Sequence, residues 1–198
     1  MASLITVSRH RRIEIVIKLI FFVTFSAGLV YVSRASITVP RSHGFYRFFA
    51  WESILALIIL NIERWFQDPF SVHQFVSWIL LAASLLPGVP GIHFLRTRGI
   101  PDPRRKEDGS LVGIEKTTRL VTTGPFKYIR HPLYSSLLLL AWGVFFKNPS
   151  VVGAGLALGA TAFLFAAAKV EEAENLSYFG SDYQTYMRKT KMLIPFVF

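Results

Sequence analysis

The chain has 198 residues, of which 52% are hydrophobic and 18 are phenylalanine, and its mean hydropathy is positive. The apolar residues fall into blocks, which indicates an integral membrane protein. Because the sequence has no cysteine, disulfides, thiolate metal sites and cysteine nucleophiles are excluded. Lys and Arg outnumber Asp and Glu by 22 to 12, an excess more typical of cytoplasmic loops beside anionic lipid than of nucleic-acid binding.

Five apolar blocks are predicted to cross the membrane as helices, since a span needs about 20 mainly apolar residues. The blocks are residues 13–32, 45–62, 75–95, 132–146 and 149–168. The first three make up residues 13–95, where Pro87 and Pro90 are expected to kink or fray the end of the third helix. The last two are predicted to pair as a helical hairpin over residues 131–168. The sequence therefore predicts a single all-α domain, a polytopic membrane helix bundle.

Two segments are predicted to lie outside the bilayer on the same side, because a hairpin separates them: the linker 96–130 and the tail 169–198. The linker has nine basic residues against four acidic ones. If both segments are cytoplasmic, the amino terminus is outside, and sixteen Lys and Arg lie inside against five outside, as the positive-inside rule favours. The basic cluster Arg9, Arg11 and Arg12 does not fit this orientation, because basic residues before the first span usually stay inside. A cleaved signal peptide would explain it, but would place the linker and the tail outside.

The tail contains a pattern typical of an amphipathic helix. Leu176, Tyr183 and Met187 recur at helical spacing, opposite a face with Asp182 and Gln184. Such a helix either lies on the membrane surface or packs on the bundle, and both arrangements are compatible with the same function.

A glycine run lies inside the fifth block, at Gly153, Gly155 and Gly159. A dinucleotide-binding fingerprint requires a preceding strand in a βαβ unit, which an apolar helix does not provide. Gly155 and Gly159 are instead predicted to form a small-residue face for close helix packing.

His131 stands directly before Pro132, a residue suited to the first turn of a helix. Free amides and the helix dipole at such a position favour an anionic group, although a histidine there can equally be an interfacial cap. The other histidines are scattered without metal-ligand spacing, so no metal site is predicted.

Glu171 and Glu172 follow the fifth block at a depth where a carboxylate is costly unless it pairs or binds something. Adjacent helical positions point about 100° apart, so one glutamate is predicted to serve a site and the other to be a structural partner. Because the hairpin begins at His131 and ends near Glu171, the topology predicts a pocket between helices with these two side chains on its walls.

The stretch LVTTGPFKYIRHPLY, followed one hairpin later by EE and then FGSDYQTYMRKTKMLIP, resembles the isoprenylcysteine carboxyl methyltransferases and their relatives among the phospholipid methyltransferases. These are membrane enzymes that use S-adenosylmethionine. The resemblance covers residues 118–195, while the first three blocks match in hydropathy only. It implies a methyltransferase that uses S-adenosylmethionine and acts on a lipophilic or lipid acceptor.

The resemblance also implies a set of cofactor-binding residues. Four in the linker would line the cofactor through main-chain and apolar contacts, Phe126 would stack where the family often has tyrosine, four at the helix start would form a wall, and a glutamate would hold a polar group. The linker would close over the cofactor as a lid. The implied residues are Thr118, Arg119, Leu120, Val121, Phe126, His131, Pro132, Leu133, Tyr134 and Glu171.

The chain departs from the carboxyl methyltransferases at Ala167, where that family has an arginine thought to meet the carboxylate of the substrate. Lys169 is the nearest basic residue, but a helix turns about 200° over two residues. The acceptor is therefore not required to be a prenylcysteine carboxylate. An amine or hydroxyl acceptor must lose a proton, and Glu172 is the candidate base. Glu172 and Lys169 are the predicted catalytic residues.

Two other functions fit the sequence. A membrane reductase could share this helical architecture and hold the phosphates of a nicotinamide cofactor with the basic linker. A scaffold subunit without enzymatic activity would bind neither cofactor. The pairing of RHP with EE favours the methyltransferase over both, and the sequence makes no prediction of oligomeric state.

Overall fold

In a computed structural model, which describes residues 2–99 and 119–195, the chain forms a bundle of α-helices. The helices of the described part are α1 (Ala2–Ile37), α2 (His43–Asn61), α3 (Val72–Arg98), α4 (Pro132–Phe145), α5 (Val151–Phe179) and α6 (Ser181–Lys189). Besides helices, these residues contain one isolated parallel bridge, between Ile129 and Lys191. The predicted all-α polytopic bundle is confirmed.

Four of the described helices are long and apolar enough to cross a membrane. These are the stretches Arg12–Ile37, His43–Arg64, Val72–Arg98 and Val151–Phe179. The remaining predicted block corresponds to α4, a shorter apolar helix of 14 residues. At 1.5 Å per residue, α4 extends only about 21 Å, less than the roughly 30 Å of a hydrocarbon core. It packs against α2, α3 and α5, so much of its surface contacts other helices of the bundle.

The sequence fixes the helix boundaries by local chemistry. The hydroxyl of Ser42 accepts a hydrogen bond from the amide of Phe45 at 3.1 Å and caps α2, and Ser150 caps α5 through the amide of Gly153 at 3.1 Å. Such caps satisfy amides that have no partner within the helix. Gly180 adopts a φ of +57°, a conformation that favours glycine, and separates α5 from α6.

Alanines, not the predicted glycines, form the packed face of α5. Ala157, Ala160 and Ala167 are fully buried, and α5 packs closely on α2. Gly155 is exposed, and a Cβ added there would meet nothing within 4 Å; at Gly159 it would meet only the hydroxyl of Ser53 at 3.9 Å. The prediction that Gly155 and Gly159 form a packing face is wrong, because α5 turns its alanine stripe toward the bundle.

The end of α3 is held tightly against the start of α4. A Cβ on Gly88 would lie 2.5 Å from the hydroxyl of Ser136, and one on Gly91 would lie 3.1 Å from Leu133. Of the two expected effects of Pro87 and Pro90, a kink or fraying, fraying does not occur, since α3 continues as a helix to Arg98. Close packing on α4 therefore keeps the last turns of α3 beside His131 and its neighbours.

The opposite end of the bundle is closed around a buried lysine. The ammonium of Lys147 donates to Oε1 of Gln74 at 3.0 Å and lies 3.3 Å from the centre of the Trp78 ring. Gln74 in turn donates to the carbonyls of Arg64 and Lys147, at 2.8 and 3.2 Å. Burying a cation is costly unless it is hydrogen-bonded and paired with a π-face, and these contacts join the α4–α5 turn to α3 and to the turn that follows α2.

Candidate active site

A cavity lies at the end of the bundle where α4 begins and α5 ends. Its walls come from α3, the segment before α4, the start of α4, the end of α5, and α6. Eight of the ten predicted cofactor residues line it. They are Leu120, Val121, Phe126, His131, Pro132, Leu133, Tyr134 and Glu171.

The other predicted site residues that the structure describes do not line this cavity. Thr118 is outside the described residues. Arg119 lines a second, adjacent cavity that shares Leu120 with the first. Lys169 is exposed on α5, with its ammonium 5.7 Å from the centre of the Phe165 ring, and it does not line the first cavity. Glu172 is buried but is also absent from the lining.

His131 lies buried between the two adjacent glutamates of α5. Its Nδ1 is 3.6 Å from Oε2 of Glu171, and its Nε2 is 3.5 Å from Oε1 of Glu172. Its ring stacks on Tyr134, with centroids 5.5 Å apart and planes 10° from parallel. Burial by itself lowers the pKa of His131, but the carboxylates of Glu171 and Glu172 more than offset this and raise the pKa above its usual 6.5. The two carboxylates therefore favour the protonated form of His131.

The two glutamates point in different directions, as adjacent positions on a helix do. Glu171 lines the cavity and keeps 20% of its side chain exposed. Glu172 is 6% exposed and accepts a hydrogen bond from Nε of Arg130 at 2.6 Å. Only Glu171 therefore presents a carboxylate to the cavity.

The segment that carries His131 is fixed by the carboxyl-terminal part of the chain. The amides of Arg130 and His131 donate to the carbonyls of Lys191 and Met192, at 2.8 and 3.1 Å, and the amide of Lys191 donates to the carbonyl of Tyr128 at 3.0 Å. The hydroxyl of Ser135 adds a bond to the carbonyl of Leu193 at 2.6 Å. These bonds anchor the first turn of α4 on one side of the cavity.

The remaining lining residues were not predicted from the sequence. They are Leu95, Arg130, Asn175, Phe179, Tyr183 and Tyr186. Glu171, Asn175 and Phe179 are spaced by four residues and therefore share one face of α5, a signal that could have placed the last two in the site. Burial is the main reason that the pKa values of Tyr183 and Tyr186 lie well above the usual range, so both phenols stay neutral.

Comparison with known proteins supports the resemblance seen in the sequence. Residues 106–182 match the family described as phospholipid methyltransferase. Methanethiol S-methyltransferase 2 of Bradyrhizobium diazoefficiens is 36% identical over 75 residues, 37% of this chain and 27% of that protein. Methanethiol S-methyltransferase 1 of the same organism is 32% identical over 88 residues, 43% of this chain and 30% of that protein.

A further relative, methanethiol S-methyltransferase of Crocosphaera subtropica, is 34% identical over 74 residues, 36% of this chain and 28% of that protein. The alignments thus span less than a third of the length of each relative. No solved structure matches the chain. The resemblance to the superfamily of membrane methyltransferases is confirmed.

The turn before His131 provides a test of the cavity. Gly124 has a φ of +64°, and a Cβ there would lie 2.5 Å from the ring of Phe94, so Gly124→Ala combines backbone strain with a clash against α3. Gly155→Ala is the matched control, because it meets nothing within 4 Å and alanine favours a helix by about 1 kcal/mol. We expect the melting temperature in detergent to fall for Gly124→Ala and to stay equal or rise for Gly155→Ala. Equal melting temperatures for Gly124→Ala and the unsubstituted protein would contradict the described turn.

Proposed function

We propose that this chain, whose residues 106–182 match the phospholipid methyltransferase family, is a membrane methyltransferase that uses S-adenosylmethionine. The observation that carries the proposal is the carboxylate of Glu171, presented to a cavity beside His131. When bound, S-adenosylmethionine supplies an electrophilic methyl group on a sulfonium. The residues of the cavity suit such a molecule in charge and polarity.

The chemistry of the cavity fits a cationic nucleoside. Glu171 supplies the negative charge that an ammonium or sulfonium requires. Phe126, Tyr134 and Phe179 supply aromatic faces, which stack on a purine and attract cations. Leu120 and Val121 add apolar surface.

Methyl transfer is an in-line displacement, so the protein must chiefly align the reacting groups and exclude water. The rigid start of α4 provides this alignment, because Pro132 fixes its first turn and backbone bonds to Lys191 and Met192 hold the residues before it. Leu95 from α3 and Leu133 from α4 supply apolar walls. These side chains orient an acceptor and keep water from the reacting groups.

The cavity favours an acceptor that ionises without help. Among the described residues that line it, Glu171 and His131 face each other at 3.6 Å, Tyr183 and Tyr186 have raised pKa values, and Arg130 is a cation. None of these five is a strong base. A carboxylate meets this condition, and a thiol comes close to it when its pKa is as low as that of cysteine, about 8.5, whereas an alcohol does not.

Between these two acceptors we favour a lipophilic thiol. Recognition of a carboxylate usually employs an arginine, and the position that holds one in the carboxyl methyltransferases is the fully buried Ala167 here. The three relatives are named as methyltransferases of methanethiol, a small thiol. We further propose that the cavity end of the bundle faces the cytoplasm, where the methyl donor is made, and that the acceptor enters from the bilayer.

Calorimetric titration of the purified protein with S-adenosylhomocysteine tests the methyl-donor site. We expect binding that weakens at least about tenfold in Glu171→Gln, since a charge-assisted contact of about 1.5 kcal/mol or more is lost. Glu174→Gln is the matched control on the same helix, because Glu174 pairs with His43 and does not line the cavity; it should change affinity by less than about twofold.

Titration with reduced nicotinamide dinucleotide phosphate separates the rival functions. Binding of the nicotinamide in place of S-adenosylhomocysteine would favour a reductase, and binding of neither would favour a scaffold. Unchanged affinity in Glu171→Gln would remove the proposed role of that carboxylate.

An acceptor panel tests the second part of the proposal. Membranes containing the protein are incubated with methyl-labelled S-adenosylmethionine and alkyl acceptors of equal chain length that end in a thiol, a carboxylate, an amine or a hydroxyl. We expect the thiol to be labelled at least about tenfold faster than the amine or hydroxyl, because those groups must lose a proton without a strong base nearby. Preferred labelling of the amine or the hydroxyl would show that a base acts in this site.

A further inference from the structure

We propose that Arg130 and Glu172 are a pair of positioning residues that holds the His131 ring against Glu171, so that Glu172 does not act as the catalytic base. This inference rests on the proposed function, because it concerns how the donor site is held in shape. It assigns a role to Arg130, which belongs to the RHP motif but was not among the predicted site residues, and gives Glu172 a role other than proton transfer.

Arg130 joins three separate parts of the chain. Its Nε donates to Oε1 of Glu172 on α5 at 2.6 Å. One terminal nitrogen donates to the carbonyl of Thr190 at 2.5 Å and to that of Met187 at 3.3 Å, at the end of α6. The planar guanidinium suits this division of donors, whereas an ammonium at the same point would act as a single charge. Arg130 therefore clamps α5 and α6 to the segment that ends in His131.

Glu172 transmits this clamp to the histidine. The oxygen that accepts the Arg130 bond, Oε1, is also the one that lies 3.5 Å from Nε2 of His131. With Nε2 facing Glu172, the other ring nitrogen faces Glu171 at 3.6 Å. A carboxylate that is 6% exposed, bonded to an arginine and absent from the cavity wall has no route to an acceptor in the cavity. Its position instead fixes the orientation of the ring.

The charged groups around His131 determine how its pKa responds when the carboxylate of Glu172 is removed. Glu171 and Glu172 face it from α5, Arg130 precedes it, and Tyr134 of α4 stacks on it. Tyr183 of α6 and His43 of α2 interact electrostatically with Glu171. Because the carboxylates raise the pKa of His131, the imidazolium is present at low pH and is lost as the pH rises through the raised value. Without the charge of Glu172, this loss should occur at lower pH.

The first measurement follows His131 in the unsubstituted protein. The imidazole is titrated by nitrogen-15 nuclear magnetic resonance in detergent, with the resonance assigned by its absence in His131→Gln. We expect a pKa above 6.5 in the unsubstituted protein and a lower pKa in Glu172→Gln. A pKa of 6.5 or less in the unsubstituted protein would overturn the inference, and this reading requires neither a stable variant nor a bound ligand.

The second measurement compares the affinity for S-adenosylhomocysteine. Arg130→Lys should weaken binding about tenfold, because one charge replaces a fork of donors, and Glu172→Gln should move the pH midpoint of binding downward. Arg188→Lys is the matched control, on the exposed side of α6, and should leave affinity and midpoint unchanged. Absence of binding by the unsubstituted protein would count against the proposed function itself.

The kinetic pattern separates positioning from catalysis. A positioning pair predicts that Glu172→Gln loses affinity for S-adenosylhomocysteine and retains a measurable maximal rate at saturating donor. Full affinity with a maximal rate that falls by about a thousandfold would show that Glu172 transfers a proton after all, and would overturn the inference. Unchanged affinity in Arg130→Lys would overturn the clamp.

Discussion

The structure depends on one constraint: a histidine at the start of a membrane helix is buried between two carboxylates at the end of the next. His131 lies 3.6 Å from Glu171 and 3.5 Å from Glu172 across the α4–α5 hairpin. Each of these groups alone would be costly to bury, but with Arg130, which bonds Glu172 at 2.6 Å, two basic side chains face two carboxylates. The hairpin must therefore close with a defined rotation of α5, and that rotation turns Glu171 toward the cavity.

The rest of the architecture supports this cluster from three sides. Glycines on α3 allow its end to approach α4, Arg130 ties α5 to α6, and residues 190–193 pair with the segment before α4. At the other end, Lys147 closes the bundle among Trp65, Gln74 and Trp78. The apolar helices thus form a scaffold for a polar site at one end, as expected for a membrane protein whose charged groups must be paired.

Much of this arrangement could be predicted from the sequence, because hydropathy and topology do not depend on side-chain detail. The apolar blocks predicted the bundle, and the hairpin predicted that His131 and Glu171 meet. The rotation of α5 about its axis could not be predicted from the sequence, because its alanines and glycines are both small enough for a packed face. Gly155 was therefore assigned to the face that Ala157 and Ala160 occupy. The bond between Arg130 and Glu172 joins residues 42 positions apart, and no periodicity indicates it.

The central claim is that the cavity beside His131 and Glu171 holds the methyl donor. Ultraviolet crosslinking of methyl-labelled S-adenosylmethionine, followed by mapping of the labelled peptides, tests it most directly. The account predicts label in peptides from residues 120–134 or 171–186, reduced by excess S-adenosylhomocysteine. Label confined to the opposite end of the bundle, around Trp65 and Lys147, would contradict it.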